Sequence, residues 1–163
     1  MKPVDSVDYQ IPGRAYLQSN YSNSKNTCHS FMTLTNTGEE LYFLATDLSG
    51  KVAWHFQLSA SELQKLFPVK FSKYYYHADI IGVVDGFLLI QFWHYKFTGK
   101  YVLAAFNAKD GKLLWSKKSS YHLGNIQITE KVIVASTSNF SKGHFVTTAY
   151  FMDRQDGQEM KSI

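Results

Sequence analysis

The chain has 163 residues, 45% hydrophobic and 16% aromatic with only 18% charged. That balance suits one packed domain spanning 1–163 and excludes a disordered, highly charged chain. A net charge of +4 favours an acidic partner surface or a polyanion over a basic one. Of the charged groups, Lys96, Lys100, Lys109, Lys112, Lys117 and Lys118 face only Asp110 within one stretch, so one side of the molecule is expected to be basic. The single cysteine, Cys28, rules out an internal disulfide, and the first twenty residues contain Asp5, Asp8 and Arg14 without an apolar leader-like run. A soluble, cytoplasmic protein without a membrane association is the expectation.

Residues 1–27 read as an irregular segment with one short strand, Arg14 to Ser19, followed by a polar loop from Asn20 to Thr27. Strands follow at Ser30 to Thr35, Leu41 to Thr46 and Lys51 to Gln57, joined by turns rich in Asn, Asp, Ser and Gly. Ser59-Ala60-Ser61-Glu62 has the form of a capping box ahead of Leu63, Leu66 and Phe67, which predicts one short helix over 60–67 that Pro68 stops. Asp85-Gly86 is a strong hairpin signal between Tyr75 to Val84 and Phe87 to Tyr95. The second of these strands has almost no polar alternation, as expected of a strand covered on both faces. Further strands are expected at Tyr101 to Phe106, Lys112 to Lys117, Tyr121 to Thr129, Lys131 to Ser136, Phe145 to Met152 and Gln158 to Ser162, about twelve in all.

An internal repeat organises these strands. Gly50-Lys51-Val52-Ala53-Trp54 recurs as Gly111-Lys112-Leu113-Leu114-Trp115, and a degraded third copy runs from Asp153 to Gly157, with Lys161 at the tryptophan position. Repeats of this kind stack on one another to bury a shared core. Set in register, the units cover approximately 28–58, 75–117 and 121–162.

The residues Ala45-Thr46-Asp47 with Gly50-Lys51 and Trp54, and Ala105-Phe106-Asn107 with Gly111-Lys112 and Trp115, resemble the quinoprotein-type (PQQ-like) β-propeller repeat. The resemblance implies an all-β fold of antiparallel, four-stranded, blade-like sheets: a partial β-propeller of about three repeats, with a collapsed β-sandwich as the alternative. It also implies that Gly50, Trp54, Gly111, Trp115 and Gly157 are repeat-packing residues, each tryptophan docking onto the next blade. Three units fall short of the closed ring on which the family's quinone sites lie, so no cofactor is expected.

Chemistry is sparse in the sequence. The six histidines, His29, His55, His77, His94, His122 and His144, have no paired metal-ligand spacing, and there is neither a phosphate loop nor a nucleophile elbow. No metal site and no enzyme activity are expected. The binding candidates are Tyr74, Tyr76, Trp93 and Tyr95 together with Lys96, Lys100, Lys117 and Lys118, rings and cations of the kind that build protein hot spots or single-strand nucleic-acid sites. Three readings stand open. The first is a non-catalytic protein-binding module, of a kind that would suit an immunity or antitoxin role by occluding a toxic enzyme, with a homodimer closing a six-blade ring as one form of partnering. The second is a polyanion or nucleic-acid binder using the Lys96 to Lys118 side. The third is a fragment of a larger propeller scaffold or quinoprotein.

Overall fold

The computed structural model describes residues 15–35, 38–66, 76–94, 101–120, 122–141 and 143–163. Twelve strands and one helix follow one another as β1 Ala15–Ser22, β2 Asn26–Thr35, β3 Gly38–Asp47, β4 Val52–Leu58, α1 Ala60–Leu66, β5 Tyr76–Val84, β6 Phe87–His94, β7 Tyr101–Asn107, β8 Leu113–Ser119, β9 Gly124–Ile128, β10 Val132–Ser141, β11 His144–Asp153 and β12 Glu159–Ser162. They form three four-stranded antiparallel sheets, β1 to β4, β5 to β8 and β9 to β12, each an up-and-down meander. The protein is all-β with blade-like sheets.

One expectation is corrected. The polar stretch from Asn20 to Thr27 is not a loop but the end of β1, a tight turn and the start of β2, so the first unit begins at Ala15 rather than at 28. The side chain of Asn23 makes that turn by accepting hydrogen bonds from the amides of Lys25 and Asn26, a local alternative to a backbone turn that asparagine readily offers. Polar residues of β1 also serve a purpose within the strand. The Ala78 amide on the edge of β5 donates to Gln18 Oε1 at 2.9 Å, and the Ile80 amide donates to Ser19 Oγ at 3.2 Å. A β-bulge between Leu17 and Ser19 re-aims these side chains across to the next sheet, where they satisfy an edge that has no strand beside it.

The sheets stack face to face. Leu88, Ile90 and Phe92 of β6 and Val102, Ala104 and Phe106 of β7 pack against Cys28, Leu41, Phe43, Ala45, Phe56 and Leu58 of the first sheet. The intervening residues Phe87, Leu89, Leu103 and Ala105, with Trp115, pack against Ile133, Ala135 and Met152 of the third. The second sheet is thus buried on both faces, which explains the unbroken apolar run in β6. Helix α1 opens on its capping box: the Ser59 amide donates to Glu62 Oε2 at 2.8 Å, and the Ser59 hydroxyl donates to the same oxygen at 2.6 Å. The Ser59 hydroxyl is the leading cause that holds the Glu62 carboxyl below its ordinary range. Leu63 and Leu66 then pin the helix to the core between the first two sheets.

The three repeats share more than a motif. In the first two, the last strand pairs through Ala45 with Trp54 and Ala105 with Trp115, and the register then slips by one residue, to Thr46 with Val52 and Phe106 with Leu113. The third pairs Phe151 with Lys161 and slips to Met152 with Glu159. Lys161 therefore occupies the tryptophan position, as the sequence alignment predicts. Gly50, Gly111 and Gly157 all lie at positive φ, at 86°, 69° and 71°, where a side chain is disfavoured.

Two of these glycines also admit a ring. A Cβ at Gly157 would lie 2.7 Å from the Trp115 ring, and one at Gly111 would lie 2.5 Å from Phe56 Cγ. In the first interface the ring that covers Gly111 is Phe56, two residues further along β4 than Trp54. Trp54 is half-buried and stacks on Phe56 at 6.0 Å. Trp115, by contrast, is buried and donates from Nε1 to the Arg154 carbonyl at 2.9 Å.

Trp115→Ala is expected to destabilise the fold by about 3 to 5 kcal/mol, and Trp54→Ala by less than half as much, since more of its ring already meets water. Urea unfolding of the two variants measures the difference, and equal losses would contradict the assigned stagger of the sheets. Gly157→Ala combines positive φ with overlap on an indole and is expected to cost about 1 to 3 kcal/mol.

Candidate functional site

The face of the second sheet that looks toward the third changes character along its length. At the turn end it is apolar, with Phe87, Leu89, Ala105 and Trp115. Toward the other end two cross-strand rows become polar. One row runs Asp79, Gln91, Leu103, Lys117, and the next runs His77, Trp93, Tyr101, Ser119.

The polar rows are tied together. Trp93 Nε1 donates to Asp79 Oδ2 at 2.8 Å, and the His77 ring stacks on the Trp93 ring at 4.2 Å and 13°. His122 approaches Asp79 Oδ2 at 3.9 Å and meets the Tyr101 ring edge-to-face at 5.5 Å. Gln91 is fully buried and accepts from the Leu123 amide at 3.0 Å. Among the described residues its Nε2 has no partner, and neither does the hydroxyl of buried Thr137 on β10.

Where these rows reach the outer edge of the sheet, a cleft of about 180 Å³ opens between the second and third sheets. Leu103, Leu123 and Met152 are buried around it, and Tyr150, Lys117 and Glu159 complete its walls. Lys118 and Ser120 also border the cleft. The cleft lies on β8, the outermost strand of its sheet, which further exposes Leu113 and Leu114. An unpaired strand edge guarded by lysines is a common way to keep such an edge from indiscriminate pairing.

The structure brings together part of the predicted set. Lys117 and Lys118 border the cleft, and Trp93 shares a face with Lys117 two strands away. The Trp93 indole is not a free stacking platform, because Asp79 and His77 both engage it. Tyr76 belongs to β5, paired with His94, whereas Tyr74, Tyr95, Lys96 and Lys100 lie outside the described residues. Residues that sequence reading did not single out are Asp79, Gln91, His122 and Arg154. The polar interruption of β6 at Gln91 was the one available signal for the first three.

Arg154 is a strut between the second and third sheets. Its guanidinium donates to the carbonyls of Val84 at 2.8 Å and Thr129 at 3.1 Å, and lies 4.7 Å from the Phe87 ring centre. Among the described residues, no group of three or more His, Cys, Asp or Glu side chains is arranged to hold a metal ion, and no helix is long and apolar enough to cross a membrane.

Cys28 faces the core between the first two sheets and is fully buried, and burial pushes its thiol up to about 11. Its neighbour His29 pairs on the opposite face of β2. The geometry is that of a packing residue. Comparison with protein-family models and with curated proteins returned no match.

The Cys28 thiol is expected to resist iodoacetamide at pH 8 in the native state and to react readily in urea. Because its folded value lies above the ordinary 9.0, its contribution to stability is fully present below pH 9 and is lost as the pH rises from about 9 to 11. Cys28→Ala should flatten that part of the pH-stability curve, and rapid native-state alkylation at pH 8 would contradict the burial.

Proposed function

We propose that the chain is a non-catalytic binding module for an acidic protein surface, engaged through the outer edge of the second sheet around the cleft. The observation that carries this reading is the placement of Lys117 and Lys118 beside an apolar cleft, on a strand whose other end exposes Leu113 and Leu114. Apolar anchors ringed by cations are the ordinary anatomy of a protein interface that selects acidic partners. The alternative, a nucleic-acid site built on Trp93, is less well supported, since that ring is already bonded to a carboxylate and stacked on a histidine.

The outward face of the third sheet is a weaker candidate. Lys161 stands there in place of the anchoring ring, and Ser138 and Thr147 bond to each other through their hydroxyls at 2.9 Å. The face is mixed in character, since Phe145, strongly exposed, lies on it two residues from Thr147, and Phe151 lies opposite Lys161.

A photo-crosslinking residue at Ser120, on the rim of the cleft, tests the reading in the cells from which the protein comes. The expected product is a protein whose contact surface is rich in Asp and Glu. It should be absent when the same group is placed at Leu48, which is exposed on a turn of the first sheet. Lys117→Glu with Lys118→Glu should reduce its yield by roughly tenfold or more. Crosslinking to nucleic acid, or equal yields from Ser120 and Leu48, would overturn the proposal.

A further inference from the structure

The two inter-sheet interfaces are built from the same repeat, so each position in one has a counterpart in the other. Phe43 pairs with Phe56 in the first sheet, and the matching pair in the second is Leu103 with Lys117. Both pairs face the next sheet along the stack. In the first interface the two rings stack at 4.8 Å and meet Phe92 and Phe106 of the second sheet, filling the gap with aromatic carbon. In the second interface a leucine and a lysine stand where the rings would be, and the space between the sheets is the cleft of about 180 Å³.

We infer that the cleft takes one aromatic side chain from an acidic segment of the partner, the visiting ring lying over Leu103 and Lys117, the positions at which the first sheet carries Phe43 and Phe56 on its own strands. The inference rests on the binding role proposed above and specifies its ligand. Size supports a single ring: an apolar cavity of about 150 Å³ accepts benzene, whereas pockets for drug-sized ligands begin near 300 Å³. Leu103, Leu123 and Met152 supply apolar contact and the ring of Tyr150 an aromatic wall, and sulfur and aromatic edges are favourable neighbours for a phenyl ring. The charges at the mouth select the flanks. Lys117, on the cleft-facing side of β8, and Lys118, on the next and opposite-facing position of the same strand, border the cleft against one carboxylate, Glu159, so an aromatic residue with adjacent carboxylates is attracted and one with adjacent lysines is repelled.

The test uses the full chain and two short peptides, N-acetyl-Asp-Phe-Asp-amide and N-acetyl-Asp-Ala-Asp-amide, read by methyl NMR. The phenylalanine peptide is expected to shift the methyl signals of Met152, Leu103 and Leu123 saturably, at least tenfold more tightly than the alanine peptide. Lys117→Phe restores the ring found in the first interface, and it should raise the melting temperature and abolish those shifts. Leu103→Phe, a second filling variant from the floor, should also abolish them. Lys117→Gln keeps the cleft open and should weaken binding severalfold, more so at low salt than at high.

Equal binding of the two peptides, shifts centred elsewhere, or unchanged binding in a folded Lys117→Phe variant would overturn the inference. The peptide comparison on the unmodified chain decides the matter even if neither filling variant folds. Peptides that fail to bind while crosslinking from Ser120 persists would remove the aromatic ligand and leave the binding module standing. Loss of both would remove both.

Discussion

A ring laid on a glycine holds the stack together. Each sheet turns back into its last strand through a glycine at positive φ, and in the second and third sheets the bare Cα of that glycine lets an aromatic side chain of the preceding sheet come down to van der Waals contact. The requirement is double, for backbone conformation and for space, so no other residue meets it. The position of the ring then sets how far one sheet slides along the next. Phe56 takes the contact in the first interface and Trp115 in the second, two residues apart in the repeat. That difference in stagger decides which side chains meet across each gap. It brings four phenylalanine rings, at positions 43, 56, 92 and 106, together on one side and leaves the cleft on the other.

Much of the fold is legible in the sequence because its signals are local. Asp85-Gly86 makes its hairpin with both residues at positive φ, the capping box opens α1, and the repeat places Lys161 opposite Phe151 as alignment predicts. What escapes sequence reading is set by contacts between distant segments. The polar stretch from Asn20 to Thr27 looks like a loop, yet Asn23 within it donates to the Val83 carbonyl, and Gln18 and Ser19 of the expected strand before it accept from the Ala78 and Ile80 amides some sixty residues away. Arg154 reads as a turn residue, and its bond to the Val84 carbonyl spans seventy positions. Repeat alignment equates Trp54 with Trp115, but it carries no information about stagger, so the substitution of Phe56 for a tryptophan anchor is visible only once the sheets are stacked.

The same limit applies to the candidate site. Lys117 and Lys118 stand out in the sequence as part of a basic run, and their place beside a cleft depends on the third sheet. Trp93 stands out as an aromatic available for binding, but Asp79 on the neighbouring strand engages its indole nitrogen. The second sheet presents opposite characters along one face, apolar where Trp115 anchors it and polar from Gln91 to His77. A sheet that binds its neighbour through only part of its face retains the remainder for other uses, and in this molecule that remainder opens at the strand edge.

The unequal filling of the two gaps also grades the molecule mechanically. In a linear stack, the work of separating neighbours is a sum of nearest-neighbour terms. The first two sheets share a dense aromatic layer, an added helix and side-chain bonds to β5 from Gln18, Ser19, Asn23 and Ser30. The third is joined by Trp115, the Arg154 strut and a smaller apolar set, and open space borders both interfaces, beside Trp54 in the first and beside Lys117 in the second. On that sum the third sheet is held to the stack by fewer such terms than join the first two sheets to each other.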